Sequence, residues 1–178
     1  MNIFVTDRDP FIAAQNLCDA HVVKMILESC QLLSTQDRLH GLTDDRYKMT
    51  HVDHPCRKCL ENSSNYLWLE LHLKGLLREY QKRFDKRHKS GALFGAYWWG
   101  DTAIAERKTV LCPDVYYRTM ESYKFPQCMP EEFKEKDADG IVCTDIDSVV
   151  KAYRRYYKHK KETLKRFKYT KREPPEWL

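Results

Sequence analysis

The chain has 178 residues, of which 42% are hydrophobic and 12% aromatic, and it carries 31 Lys and Arg against 26 Asp and Glu. This composition excludes an intrinsically disordered protein, and no apolar run is long enough to predict a membrane span. The charged start MNIFVTDRDP lacks the apolar stretch of a signal peptide, so we expect a cytoplasmic protein whose cysteines are free thiols or metal ligands and not disulfides.

The first predicted helix runs over about 10–34 and follows the short strand or extended segment NIFVTD. Asp9 is suited to cap this helix, and Pro10 fits its first turn. Apolar side chains cover most of its circumference, which predicts that it is buried. The polar stretch that follows, STQDRLHGLTDDRYKMTHVDH, predicts a loop.

A second long helix is predicted over 55–84, because leucine and aromatic side chains recur there at helical spacing. Residues 89–144 contain several glycines and prolines and predict a loop-rich insertion. Within it we expect short elements near 102–112 and 130–136.

A third long helix is predicted over about 146–167, capped by Asp145 or Asp147. The tail after it contains two consecutive prolines and cannot be regular helix. The chain therefore predicts a single mainly α domain over 1–178, a bundle of three long helices with a loop-rich insertion.

A polar stripe lies along the first helix. At 100° per residue, His21, Lys24, Glu28 and Gln31 fall within an arc of roughly 80°. The stripe faces either solvent or a pocket, and we favour the pocket. His21 and Glu28, two turns apart, could then reach one ligand from one rigid element, in an environment typical of acid–base catalysis.

The segment LCDAHVVKMILES resembles the motif of the pyrimidine-dimer DNA glycosylases known as phage-type endonuclease V. The matching positions are Asp19, His21 and Glu28. The resemblance implies a small helical enzyme that flips a base and cleaves its glycosidic bond, with or without a nick at the abasic site. It implies that Glu28 supports the bond cleavage and that Asp19 and His21 orient the nucleotide or contact phosphate.

The same resemblance implies that the N-terminal α-amine attacks the sugar C1′ and forms an imine. Asn2 is bulkier than the small residue that the family exposes there, so we expect Met1 to be kept and to supply the amine. Leu27 stands where the family has an arginine before the catalytic glutamate. Over its full length the chain also resembles small phage-encoded proteins with no secure function.

A second cluster, THVDHPCRKC, holds His51, His54, Cys56 and Cys59 within nine residues. These side chains could supply four zinc ligands, but ordinary structural sites draw their ligands from two separated segments. We therefore interpret the two cysteines as buried small residues. No metal and no other cofactor is expected.

His51 and His54 are instead candidate substrate-binding residues, since His54 precedes a helix N-terminus, where backbone amides attract anions. Arg57, Asn65 and Trp68 follow at helical spacing, and the group could hold a phosphate and a base together. A solvent-exposed helix face is the alternative.

The last predicted helix carries the excess positive charge, because residues 145–178 contain 11 Lys and Arg and 5 Asp and Glu. Cations there could neutralise phosphates, and the interleaved tyrosines could stack on bases. A solubilising surface helix is the alternative. The candidate contacts to a nucleic-acid backbone are Arg154, Arg155, Lys158, Lys161 and Lys165.

The leading hypothesis is a DNA glycosylase acting on a flipped modified or damaged base. One alternative is an enzyme that processes free nucleotides or nucleosides in the same pocket. Another is a nucleic-acid-binding protein without catalytic activity. We expect DNA as the partner, a monomer, and no membrane association.

Overall fold

The computed structural model describes residues 1–42, 45–94 and 122–178. These residues form a mainly α-helical structure, as predicted, and the part of the chain described here contains no β-strand, only two isolated bridges. The expected element near 102–112 lies outside the described residues. The described residues form five α-helices, which are α1 (Pro10–Gln15), α2 (Asp19–Leu39), α3 (Pro55–Lys58), α4 (Ser63–Phe84) and α5 (Ile146–Thr163). Short 3-10 turns cover Cys59–Glu61, Lys89–Phe94 and Glu131–Phe133.

The predicted helix over 10–34 was wrong in its continuity, because the chain breaks between α1 and α2. The cap was right: Asp9 accepts hydrogen bonds from two amides at the start of α1, and Pro10 is the first helical residue. Backbone groups at this break are hydrogen-bonded to side chains that lie far along the chain. Arg83 donates to the carbonyls of residues 15 and 17, and Tyr157 accepts from the amide of residue 18 at 2.8 Å.

Helix α2 extends past the predicted end to Leu39. Its polar last turns are buried rather than looped out, because their side chains find partners inside the protein. Ser34 donates to the carbonyl of residue 30 at 2.7 Å. Asp37 accepts from Arg46 at 2.6 Å and from the Tyr66 hydroxyl at 2.7 Å.

The predicted helix over 55–84 is interrupted, because a 3-10 turn follows α3 and a new helix starts at Ser63. Asn62 caps α4 by accepting from the amides of Ser64 and Asn65 at 2.9 and 3.4 Å. The predicted end was right: α4 stops at Phe84, and Asp85 takes a left-handed conformation with φ of 53°.

Helices α1 and α2 both pack against α4. The approach of α1 is very close, since a Cβ added at Gly75 would lie 2.8 Å from the Ala14 side chain and 3.3 Å from the backbone of Phe11. No helix among the described residues is long and apolar enough to cross a membrane.

Helix α5 begins where predicted, with the Asp145 side chain accepting from the amide of residue 148, and ends at Thr163 rather than 167. Its apolar face is buried and includes Val149, Tyr153 and Tyr157. Against this face lies the extended N-terminal segment, whose residues 3–6 are also buried. The N-terminus is thereby brought between α5 and the polar stripe of α2.

Candidate active site

Glu28 lies beside the start of the chain. Its Oε2 accepts a hydrogen bond from the backbone nitrogen of Asn2 at 2.9 Å. Its Oε1 lies 3.4 Å from the Nζ of Lys24, and the Glu28 side chain is only 15% exposed. The carboxylate of the polar stripe therefore faces the N-terminal segment and not open solvent.

The side chain of Asn2 fixes this arrangement from the other side. Its Nδ2 donates to the carbonyl of Cys128 at 2.9 Å, and its Oδ1 accepts from the Tyr153 hydroxyl at 2.7 Å. Two long-range contacts thus hold the backbone nitrogen of residue 2 against Glu28.

His21 closes one end of the stripe. Its ring stacks on Phe4 with centroids 4.6 Å apart, and its Nδ1 lies 2.9 Å from the Tyr157 hydroxyl. Burial, followed by the charges of Lys24 and Lys160, lowers the pKa of His21 to about 4. His21 is therefore a neutral hydrogen-bonding group near neutral pH.

The remaining stripe residues are more open. Lys24 has a side chain that is 66% exposed, and Gln31 is half-buried. Lys160 of α5 influences His21 electrostatically and lies over the ring of Tyr156, with its Nζ 4.9 Å from the centroid. Two cations from different helices thus flank the His21 end of the stripe.

His54 joins the same neighbourhood through α3. Burial lowers its pKa first, then the positive N-terminal amine and His51, while the carboxylate of Glu28 opposes them. Its Nδ1 accepts from the amide of Cys56 at 3.1 Å, which caps α3. His51 is exposed, with φ of 51° and its ring 6.4 Å from that of His54.

The comparisons with known proteins bear on this arrangement. The family model described as pyrimidine dimer DNA glycosylase matches residues 1–90, which is half of the 178-residue chain. The chain belongs to this glycosylase family. No curated protein and no solved structure matches it.

Membership in the glycosylase family makes DNA the expected substrate. The structure places Glu28 against Asn2 and His21 against Phe4, so both side chains contact the N-terminal segment. Leu27, at the position of the family's arginine, is 39% exposed on the neighbouring face of α2.

The Asp19 side chain is bound elsewhere in the protein. It is 6% exposed, and its carboxylate accepts from Arg83 at 3.2 Å and from the amide and hydroxyl of Thr170 at 3.0 and 2.7 Å. These contacts tie the start of α2 to α4 and to the C-terminal tail. All of them lie within the protein, which departs from the predicted contact with substrate.

Three residues predicted as a substrate-facing surface are buried instead. Arg57 donates to the carbonyl of residue 52 at 2.5 Å and to Glu61 at 2.8 Å. Asn65 is 1% exposed and holds the backbone at both sides, at residues 59 and 124. Trp68 is fully buried, with its Nε1 bonded to a backbone carbonyl. Packing of α4 against the 122–125 segment covers Asn65 and Trp68.

Some of the residues predicted to contact a nucleic-acid backbone have partners within the protein, and others are exposed to solvent. Arg154 binds the carbonyl of residue 6 and the carboxylate of residue 7, each at 2.8 Å, so it secures the N-terminal segment. Arg155 pairs with a glutamate of the 131–136 segment, and Lys161 donates to the C-terminal residue. Lys158 and Lys165 are exposed.

The tyrosines predicted to stack on bases were misjudged in part. Tyr153 and Tyr157 are fully buried core residues that contact the N-terminal segment and His21, whereas Tyr156 is partly buried. All of these tyrosines were predicted to stack on bases, because helical spacing alone does not show which side of α5 is covered.

Several residues at this site escaped the sequence prediction, because they are distant along the chain. Asn2 and Cys128 are the main ones. The thiol of Cys56 donates to the Sγ of Cys128 at 3.4 Å, which raises the pKa of Cys56 and lowers that of Cys128. The position of Asn2 next to the N-terminus could have indicated its role, whereas no sequence pattern indicated Cys128.

Two surface cavities of about 340 and 250 Å³ lie away from this cluster. The larger is formed by α1 and α4, and the smaller by the end of α5 and the C-terminal tail. Neither is lined by Glu28 or His21, so the pocket predicted to face the polar stripe stays a prediction.

Proposed function

We propose that this protein excises pyrimidine dimers from DNA with Glu28 and the N-terminal α-amine as its catalytic pair. The observation that carries the proposal is the 2.9 Å contact between the backbone nitrogen of residue 2 and Glu28 Oε2. A nucleophilic amine needs a base within hydrogen-bond reach, and Glu28 is that base.

The identity of the first residue decides whether this nitrogen can react. In a chain that begins at Asn2, the nitrogen is a primary amine. In a chain that keeps Met1, it is an amide, and amides are not nucleophiles. We therefore propose Asn2 after removal of Met1, in place of Met1 itself, as the residue that supplies the amine.

The proposed chemistry forms one bond as another breaks. The amine nitrogen bonds to the deoxyribose C1′ while the glycosidic bond breaks, and Glu28 takes the proton that the amine loses. The pyrimidine leaves with the bonding electron pair as its N1 anion, which takes a proton from water. The C1′–O4′ bond then breaks and O4′ takes the proton held by Glu28, which leaves a protonated imine at C1′. Removal of the adjacent C2′ proton eliminates the 3′ phosphate. Glycosylase and lyase activities would then share one pair of groups.

The target nucleotide must leave the helical stack to reach this pair. We propose that neutral His21 hydrogen bonds to the extruded nucleotide, with Gln31, His51 and His54 along the same side. Lys24 and Lys160 flank His21 and would contact phosphates, which position the duplex without reading its sequence.

Replacement of Glu28 by glutamine tests the assignment. Glu28→Gln keeps the size of the side chain and removes its charge, and general-base loss typically costs about 10²- to 10⁴-fold in rate. We expect that loss in single-turnover cleavage of a duplex with one thymine dimer, with unchanged duplex affinity. Glu162→Gln, at an exposed position on α5, is the control with wild-type activity.

Each alternative hypothesis gives a different outcome. Wild-type cleavage by Glu28→Gln would refute the catalytic role of the carboxylate. Turnover of free nucleotides without salt-dependent duplex binding would favour the nucleotide-processing enzyme. Duplex affinity with no product from any dimer-containing substrate would favour a binding protein.

A further inference from the structure

Three potential metal ligands from two distant parts of the chain meet next to the N-terminal segment. One ligand atom from each of His54, Cys56 and Cys128 lies within 4.8 Å of the others. Cys56 is fully buried, and the other two residues are partly buried. Cys128 is 72 positions from Cys56, so this set differs from the compressed cluster visible in the sequence.

The spacing of the sulfurs is close to that of a metal site. The Sγ atoms of Cys56 and Cys128 are 3.4 Å apart. Two thiolates on one tetrahedral zinc ion, each at about 2.3 Å, are about 3.8 Å apart, whereas the sulfurs of a disulfide are about 2.05 Å apart. A shift of a few tenths of an ångström would bring the two sulfurs to the spacing that zinc requires.

The backbones of the three residues are already fixed. Cys56 lies in the first turn of α3, and His54 is its N-cap. The amide of Cys128 donates to the Tyr153 hydroxyl at 3.4 Å, and its carbonyl accepts from Asn2 at 2.9 Å. Binding would therefore order little additional backbone, which favours affinity.

We infer that this protein binds a zinc ion through His54, Cys56 and Cys128. Two thiolates and an imidazole are the donor set that zinc prefers over the hard cations magnesium and calcium. Three protein ligands leave a fourth position for water or another group.

The histidine can serve with a small rearrangement. Its Nδ1 already carries a lone pair, since it accepts the amide hydrogen of Cys56. Metal binding at Nδ1 would replace that single capping hydrogen bond. Cys59 is engaged differently, because its thiol donates to the carbonyl of Cys56 at 3.2 Å.

The ion would act as a tether for the proposed active site. It would link α3 to the segment at Cys128, whose carbonyl holds the side chain of Asn2. The inference itself does not rest on the proposed function, because metal content is measured without any DNA substrate.

The test is metal analysis of the untagged full-length chain, expressed with zinc in the medium and purified under reducing conditions without chelator. We expect about one zinc per chain. Cobalt added to the metal-free chain should give the near-ultraviolet thiolate-to-cobalt band and the visible bands of tetrahedral coordination. Cys128→Ser should lose most of the zinc, whereas Cys143→Ser, a partly buried cysteine outside the cluster, should keep it.

Absence of both zinc and the cobalt bands in the wild-type chain would overturn the inference, whatever the variants do. So would a Cys56–Cys128 disulfide found by mass spectrometry in the reduced preparation. Zinc retained at wild-type level by Cys128→Ser would overturn the ligand assignment. If that variant does not fold, His54→Asn replaces it, because asparagine preserves the N-cap while removing the imidazole.

Discussion

Replacement of Asp19 by alanine separates a structural role from a role in DNA binding. The carboxylate accepts three hydrogen bonds, one from Arg83 and two from Thr170. The Arg83 side chain is fully buried, but it keeps Glu79 as an ion-pair partner at 2.9 Å. The loss is therefore smaller than the full cost of an unpaired buried charge, and we expect about 3 kcal/mol of destabilisation.

Asp147→Ala is the matched control, since this aspartate also lies in the first turn of a helix and pairs with an arginine, Arg8. Both side chains of that pair are more than half exposed, at 55% and 52%. The expected loss is about 1 kcal/mol or less. Urea denaturation followed by circular dichroism measures both variants.

The reasoning fails if the two variants unfold at the same urea concentration. Below its unfolding temperature, the folded Asp19→Ala chain should bind a dimer-containing duplex with wild-type affinity. Loss of duplex affinity without loss of stability would instead support the contact with substrate predicted from the sequence.

Three other predictions follow from the same contacts. Because the folded-state pKa of His21 is about 4, below its usual 6.5, its stabilising effect is complete above pH 6.5 and is lost as the pH falls towards 4. Across that interval, the free energy of unfolding of the wild-type chain should fall by up to about 1.4 kcal/mol per pH unit more than that of His21→Phe, as measured by urea titrations. Equal pH dependence of the two free energies would contradict the burial argument. Gly75→Ala should lower the free energy of unfolding by about 1–2 kcal/mol, because the clash between α1 and α4 outweighs the higher helix propensity of alanine. Unchanged or increased stability would show that the two helices separate easily. The double variant Lys24→Ala, Lys160→Ala should reduce the magnitude of the slope of log duplex affinity against log salt by about 2. The control Lys82→Ala should leave the slope unchanged. If the double variant and the wild-type chain had equal slopes, neither lysine would contact phosphate.

Local signals predicted the parts of the fold that depend on neighbouring residues. Asp9 with Pro10, and Asp145, were recognisable as helix starts because capping involves side chains within three positions of the amides they bind. The break after Gln15 was not predictable in this way. The backbone groups freed there are bonded by Arg83 and Tyr157, which lie far along the chain.

The candidate site was predictable to the extent that it lies on one helix. The spacing of His21, Lys24, Glu28 and Gln31 predicted the polar stripe. It did not predict which residues cover that stripe. The covering group is Asn2, held by Tyr153 and Cys128, and no periodicity relates these residues to α2.

Several residues predicted to contact substrate are buried polar residues. Helical spacing suggested that Arg57 and Asn65 were available for substrate, because polar side chains usually face solvent, and the family resemblance suggested the same for Asp19. Each instead finds two or more partners within the protein, and such satisfied pairs leave no mark in a single sequence.

Borohydride trapping of two forms of the chain tests the pairing of Glu28 with the α-nitrogen of residue 2 most directly. One form begins at Asn2, released from a cleavable fusion, and the other retains Met1. With a duplex carrying one thymine dimer, the form beginning at Asn2 should give a covalent adduct that peptide mapping assigns to the N-terminal nitrogen. The form retaining Met1 and the Glu28→Gln variant should give little or none. An adduct on a lysine, or equal trapping in both forms, would contradict the account.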